Sequence, residues 1–322
     1  MRVSKILKIT GFGALAVTLL AIGAALVIGW APDRPLPKLI ERWGQEPSTF
    51  VEIERLRIHL RDEGPRDDPH PILMLHGSGS SLHTWAGWAQ RLSRHRRVIT
   101  MDLPGFGLTG PSLDDDYSVE RYSRFALALL DALEIRKAVL VGRAIGGEAV
   151  WRLAIDHPSR VEKLVLIASG GYPVNSVSVP VGFRITDSPY LSWLRSSFLP
   201  RVLVKSSLLN LYGDASRLKE ETIDCYYELS LRQGNRAAMA RQRSQLRPGA
   251  QAERISKIKT PTLILWGGRD RLFPAPLAER FHAHIENSEL VVFPELGHLL
   301  QEEDPESTMA PLERFLQSKR GA

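Results

Sequence analysis

Short apolar runs closed by turns alternate along this chain with stretches of helical periodicity. Residues 72–75 read ILML, an all-apolar run of the kind that forms a parallel strand buried on both faces. Residues 97–101, 138–141, 163–167, 262–265 and 290–293 also predict strands, with glycine turns behind most of them. Residues 82–92, 117–133, 145–157 and 304–317 predict helices, and in the second of these Tyr122, Phe125, Leu129 and Leu133 share one face. Two alternating runs within residues 51–60, followed by the polar stretch 61–70, predict antiparallel strands at the start of the fold. The regular alternation stops between residues 170 and 255, where Tyr172, Tyr190, Trp193, Phe198, Tyr212, Tyr226 and Tyr227 precede an arginine-bearing helix over 232–245.

The N-terminus follows a different pattern. Residues 11–30 carry no charge and only Thr18 as a hydroxyl, after Arg2, Lys5 and Lys8. At helical rise such a run matches the roughly 30 Å of a hydrocarbon core, so residues 1–31 are expected to be a single-pass transmembrane anchor. A cleaved signal peptide fits less well, because the run is longer than a usual apolar core and Pro32 would follow the one small-residue site at Ala31. Arg34, Lys38 and Arg42 nearly balance the basic residues before the span. A short basic N-terminus held inside would make the following domain periplasmic or otherwise extracytoplasmic. Residues 32–48, with four prolines and mixed charges, read as a linker standing that domain off the bilayer.

The chemistry gathers in the turns. Gly142-Arg143-Ala144-Ile145-Gly146 joins a predicted strand to a predicted helix with the glycine spacing of a nucleophile elbow, G-x-S-x-G, but presents a methyl group where the serine hydroxyl would be. His76-Gly77-Ser78-Gly79-Ser80 and Asp102-Leu103-Pro104-Gly105-Phe106-Gly107 follow earlier strands. Trp266-Gly267-Gly268-Arg269-Asp270 and Gly297-His298 follow later ones. Elbow, acid, base is the chain order of the α/β-hydrolases.

With these five motifs the chain resembles the α/β-hydrolase fold superfamily from about residue 50 to 316. It is closest in character to the lid-bearing branch of esterases, lactonases and meta-cleavage C–C hydrolases. The resemblance implies a mostly parallel eight-stranded sheet flanked by helices, with a core over 49–170 and 256–318 and a helical lid over 171–255. It implies that Ala144 stands at the nucleophile position, that Asp270 and His298 are the acid and base, and that the Ser78 and Ile145 N–H groups form the oxyanion hole. Asp102 is expected to brace neighbouring loops. No metal or organic cofactor is implied, since the glycine turns match neither a Walker loop nor the dinucleotide fingerprint.

Composition narrows the partners. The chain is 43% hydrophobic and 24% charged, enough for one large core, and its net charge of +6 is dispersed rather than clustered, so no nucleic-acid partner is expected. The single Cys225 excludes an intramolecular disulfide. The apolar character of residues 170–255 points to a small apolar or aromatic substrate, with the membrane as a second partner through the N-terminal helix.

Function then turns on Ala144, and three accounts stay open. The chain is an inactivated variant of a serine hydrolase, or a natural relative in which His298 acts as a base on water or substrate, or a catalytically silent binding or scaffold protein. Arg143 favours natural divergence, since the family usually carries a small polar residue or histidine there. Efficient acyl-enzyme chemistry is excluded for the chain as written.

Overall fold

The computed structural model describes residues 29–180 and 197–318, together with Gly23 and Val27. Helix α1 (Leu36–Trp43) precedes an antiparallel pair, β1 (Ser48–Ile53) and β2 (Leu56–Glu63). Strand and helix then alternate through β3 (Ile72–Leu75), α2 (Ala86–Leu92), β4 (Val98–Met101), α3 (Val119–Ala132), β5 (Ala138–Arg143), α4 (Ile145–Asp156) and β6 (Val161–Ile167). A long insertion carries α5 (Arg201–Leu211), α6 (Glu220–Ser230) and α7 (Asn235–Gln245). The chain returns through β7 (Thr262–Gly267), α8 (Pro276–His284), β8 (Ser288–Phe293), α9 (Leu300–Glu303) and α10 (Pro305–Gln317).

The eight strands form one sheet in the order β1-β2-β4-β3-β5-β6-β7-β8. β2 alone runs against the direction of the other seven strands; every pair from β4 to β8 is parallel. This is the mostly parallel α/β architecture that the apolar runs predict. Successive side chains on a strand point to opposite faces, so an all-apolar strand supplies two cores at once. Ile72 and Met74 of β3 join Val139, Val141, Trp85, Trp88, Met309 and Phe315 on one face. Leu73 and Leu75 join Leu140, Phe125, Leu129, Trp151 and Phe281 on the other. Ser118 caps α3 by accepting the Arg121 N–H, and Tyr122, Phe125 and Leu129 are buried as their spacing predicts.

Because β3 to β8 are parallel, the turns after β5, β7 and β8 all open at the same end of the sheet, where α/β folds collect ligand sites. Asp102, behind β4, braces that end. Its carboxylate accepts the Leu82 and Leu108 N–H groups and contacts His59 Nδ1, each at 2.7 Å.

The N-terminal expectations need correction. Most of the apolar run 11–30 lies outside the described residues, as do Tyr190 and Trp193. Among the described residues no helix is long and apolar enough to cross a membrane. The end of the run is docked on the insertion: Trp30 bridges to Phe198, the Ala31 N–H donates to Ser197 O at 2.8 Å, and Ala31 is buried. A membrane-anchored, extracytoplasmic location with the bilayer as partner is therefore not what the described chain supports.

Residues 32–48 likewise do more than space the chain. They contain α1, whose Leu39 and Trp43 pack with Leu108, Cys225 and Leu229, while Trp43 Nε1 donates to Glu228 at 2.8 Å. The physical reason lies in LPKLIERW, where Leu36, Leu39, Ile40 and Trp43 fall on one helical face that α6 covers. Leu39 is only 1% exposed, so Leu39→Ala is expected to destabilise the fold by about 2–4 kcal/mol. The check is urea unfolding of the intact chain. A change within about 0.5 kcal/mol would mark this stretch as a spacer after all.

Candidate active site

The site begins with crowding. A β-carbon on Gly142 would lie 2.4 Å from Gly146 O, and one on Gly146 would lie 2.4 Å from Leu75 O. Only glycine permits these approaches, and they let β5 turn into α4 within a single residue. That residue is Ala144, at φ 50° and ψ −116°. Its N–H donates to Ile167 O at 3.1 Å, and its carbonyl accepts from Glu148 and Gly170 N–H groups at 3.0 and 2.9 Å. The backbone is thereby held in a conformation that an alanine would not choose alone.

Asp270 and His298 arrive from the ends of β7 and β8. Asp270 Oδ1 accepts the Leu272 and Phe273 N–H groups at 2.9 and 2.8 Å, which turns Oδ2 toward His298 Nδ1 at 2.7 Å. Both side chains are buried. The His298 N–H donates to Leu211 O at 2.7 Å, so the histidine is also tied to α5 of the insertion, and the Phe273 ring stands edge-on to the imidazole. A carboxylate on Nδ1–H fixes the tautomer and leaves Nε2 as the free acceptor. Among the described residues Nε2 has no hydrogen-bond partner, and His298 shares with Ala144 a cavity of about 450 Å³.

Ser78 and Ile145 border the same cavity. Among the described residues neither of their N–H groups donates a hydrogen bond within the protein. The Ser78 side chain is held by Gln242 of α7, whose Nε2 donates to Ser78 Oγ at 2.7 Å. Behind this loop His76 is fully buried. Its Nδ1–H donates to Gly77 O at 2.8 Å and its Nε2 accepts the Leu103 N–H at 2.9 Å, an arrangement that requires the neutral ring. Burial lowers its pKa to about 4.

The structure thus brings together all five residues named from the sequence: Ala144, Asp270 and His298, with Ser78 and Ile145. It adds a buried group that the sequence reading left without a role. Arg143 is 2% exposed and borders the cavity beside Ala144. Near it lies Glu302, which accepts from Tyr212 OH at 2.8 Å and Tyr226 OH at 3.1 Å. Burial pushes the Glu302 carboxyl above its usual range. Glu302 follows His298 by one helical turn, and that spacing was the only local signal for it.

Comparison with known proteins agrees with this geometry. The model of the alpha/beta hydrolase fold family matches residues 70–305. The chain belongs to that family. It is 33% identical over 271 residues to a 2-hydroxy-6-oxo-2,4-heptadienoate hydrolase of Pseudomonas putida, spanning 81% of this chain and 93% of the relative. A solved meta-cleavage product hydrolase from Pseudomonas fluorescens, a serine-to-alanine mutant complexed with acetates, superposes with a TM-score of 0.71 at 25% identity, over 83% of this chain and 97% of its own. A membrane phospholipase A shares the fold, with a TM-score of 0.74 at 23% identity over 98% of this chain and 99% of its own. As a member of this hydrolase family, the chain is related to the C–C meta-cleavage hydrolases.

Burial of neutral His76 is expected to make the site's loop sensitive to acid. Its folded pKa lies below the ordinary 6.5, so in that interval the unfolded chain binds the proton more readily. Its contribution to stability is complete above the unfolded value and is lost as pH falls through the folded one, at no more than about 1.4 kcal/mol per pH unit. Denaturation midpoints measured between pH 7 and 4 are expected to fall, and His76→Asn is expected to flatten that slope. An equal slope in both proteins would remove His76 as its source.

Proposed function

We propose that the protein hydrolyses an ester, a lactone or a C–C bond beside a carbonyl in a small apolar or aromatic substrate, with the His298–Asp270 pair activating water rather than a serine. The observation that carries this reading is the buried 2.7 Å contact between His298 Nδ1 and Asp270 Oδ2, in a cavity shared with the elbow. The reaction class is supported by relatives named for hydrolysis of 2-hydroxy-6-oxo-2,4-heptadienoate and of a meta-cleavage product. Side chains such as Val174, Leu211, Leu246, Leu272 and Phe273 give the cavity walls the apolar character such a substrate needs.

In this reading His298 Nε2 takes a proton from water while the water oxygen bonds to the substrate carbonyl carbon. Negative charge builds on the carbonyl oxygen, where the Ser78 and Ile145 N–H groups, fixed in advance, stabilise it. As the scissile bond breaks, the imidazolium returns the proton to the departing oxygen or carbon, and Asp270 stabilises the charged ring in between. Hydroxyl thus ends on the acyl carbon and hydrogen on the leaving group. The insertion, which supplies Leu211 and the Gln242 contact to Ser78, acts as the lid that keeps bulk water out.

The methyl group of Ala144 favours a second reading, in which the same cavity only binds. Loss of the serine in a well-studied triad costs about a million-fold in turnover, leaving about a thousandfold over water from binding and the oxyanion hole.

Turnover of short aryl esters separates the two. Ala144→Ser is expected to raise the rate by about a thousandfold or more over the unmodified chain. His298→Ala is expected to abolish that gain, and with it the slow activity of the unmodified chain. No turnover in any of these forms would leave the binding reading in place.

A further inference from the structure

Arg143 is a buried cation to which the proposed hydrolysis gives no task. It is 2% exposed, and its Nε has no hydrogen-bond partner. Among the described residues its guanidinium makes no hydrogen bond or ion pair, although five N–H donors in a fixed fork must be satisfied somewhere. Arg152, similarly buried nine residues further on, shows the ordinary solution: Glu148 accepts its Nη2 at 2.5 Å, and Glu120 accepts its Nη1.

The groups facing Arg143 are Asp270, Glu302, Tyr212, Tyr226 and His76. Only the Asp270 and Glu302 carboxyl groups among them can offset its charge, and neither takes its hydrogen bonds. Asp270 is engaged by two backbone N–H groups and by His298. Glu302 is engaged by the two tyrosine hydroxyls. What remains open is the cavity. The guanidinium lies against the turn expected to polarise a carbonyl: a β-carbon on Gly77 would be 3.0 Å from Arg143 Cζ and Nη2 and 3.1 Å from Ala144 Cβ.

We propose that Arg143 makes this end of the cavity a receptor for a carboxylate, and that the ligand it holds is a small monocarboxylic acid with an apolar body. The carboxylate accepts from the unpaired guanidinium and sits beside the elbow, in the room left by the missing serine hydroxyl. The hydrocarbon lies along Val174, Leu246, Leu272 and Phe273. A planar guanidinium matches a carboxylate through two parallel hydrogen bonds, and a neutral ligand would leave those buried donors unpaired.

This site uses the same cavity as the proposed hydrolysis but does not depend on turnover there. An Ala144→Ser form that is silent on esters leaves the binding of acids untouched, and an active one does not establish it.

The test is calorimetric titration of the full chain with hexanoate and with hexanamide, which differ only in the head group. Hexanoate is expected to bind at least about tenfold more tightly than the amide, as the loss of charge-assisted hydrogen bonds requires. Arg143→Met is expected to erase that preference, and Arg143→Lys, which keeps the charge without the fork, to reduce it. Far-ultraviolet dichroism shows whether either variant is folded; the acid–amide comparison in the unmodified chain needs neither. Equal affinity for acid and amide, no binding of hexanoate at millimolar concentration, or a preference that survives in folded Arg143→Met would each overturn the proposal.

Discussion

The structure around the site depends on one steric constraint, the approach of the backbone at Gly142 and Gly146 to within contact of their neighbours' carbonyl groups. A single methyl group at either glycine would drive into Gly146 O or Leu75 O. Because that space is empty, β5 reverses into α4 against the end of β3, and Ala144 is forced to φ 50°. The placement of the Ile145 N–H beside the Ser78 loop follows from the same turn. A non-glycine residue in this region costs of order 1–3 kcal/mol. Here the cost is met by three backbone hydrogen bonds, from β6, α4 and the loop after β6, that converge on residue 144. The strain persists without a hydroxyl to display, so what the turn still achieves is the exact spacing of donors around a small volume.

Much of this could be read from the chain because it is local. Four-residue all-apolar runs such as ILML at 72–75 and LVLI at 164–167, closed by turn residues, fit strands buried on both sides, and the glycines at 142 and 146 announce a turn whose neighbours come too close for a side chain. Asp270 and His298 were legible for a different reason: parallel strands deliver their following turns to the same end of the sheet, so order along the chain becomes proximity in space. The polar cluster around Arg143 had no such signature. Its members come from β5, the residue after α5, α6 and α9, and only packing of the insertion onto the sheet makes them neighbours. Hydropathy misled most at the N-terminus, where the residues just past the apolar run, Ala31, Leu39 and Trp43, lie against protein. Four prolines in residues 32–48 predict extension, whereas the amphipathic face of LPKLIERW decides the local structure.

The two charged systems flanking Ala144 differ in what they ask of a ligand. His298 and Asp270 form a self-sufficient pair: every strong acceptor and donor between them is engaged except Nε2, which faces the cavity. In the proposed hydrolysis such a pair moves a proton and places no demand on ligand charge. Arg143 is the reverse, a cation whose burial carries a desolvation cost that nothing on the protein fully offsets. Its nearest carboxylates hold other donors, so an anion entering the cavity would relieve it.

These two demands pull the same pocket in different directions. A hydrolase works by binding the transition state more tightly than the states on either side of it. An unpaired guanidinium beside the elbow favours instead the fully charged carboxylate, which is the acid produced by hydrolysis, and so deepens the well after the reaction more than it lowers the barrier. In the proposed reading, alanine at the elbow lacks the serine route over that barrier, while arginine at the preceding position strengthens the hold on what lies beyond it. On that reading the two residues together favour retention over turnover, in a turn that keeps the geometry of the hydrolase family. Two adjacent residues suffice for that balance because the surrounding frame already holds a few polar groups at fixed positions beside a largely apolar cavity.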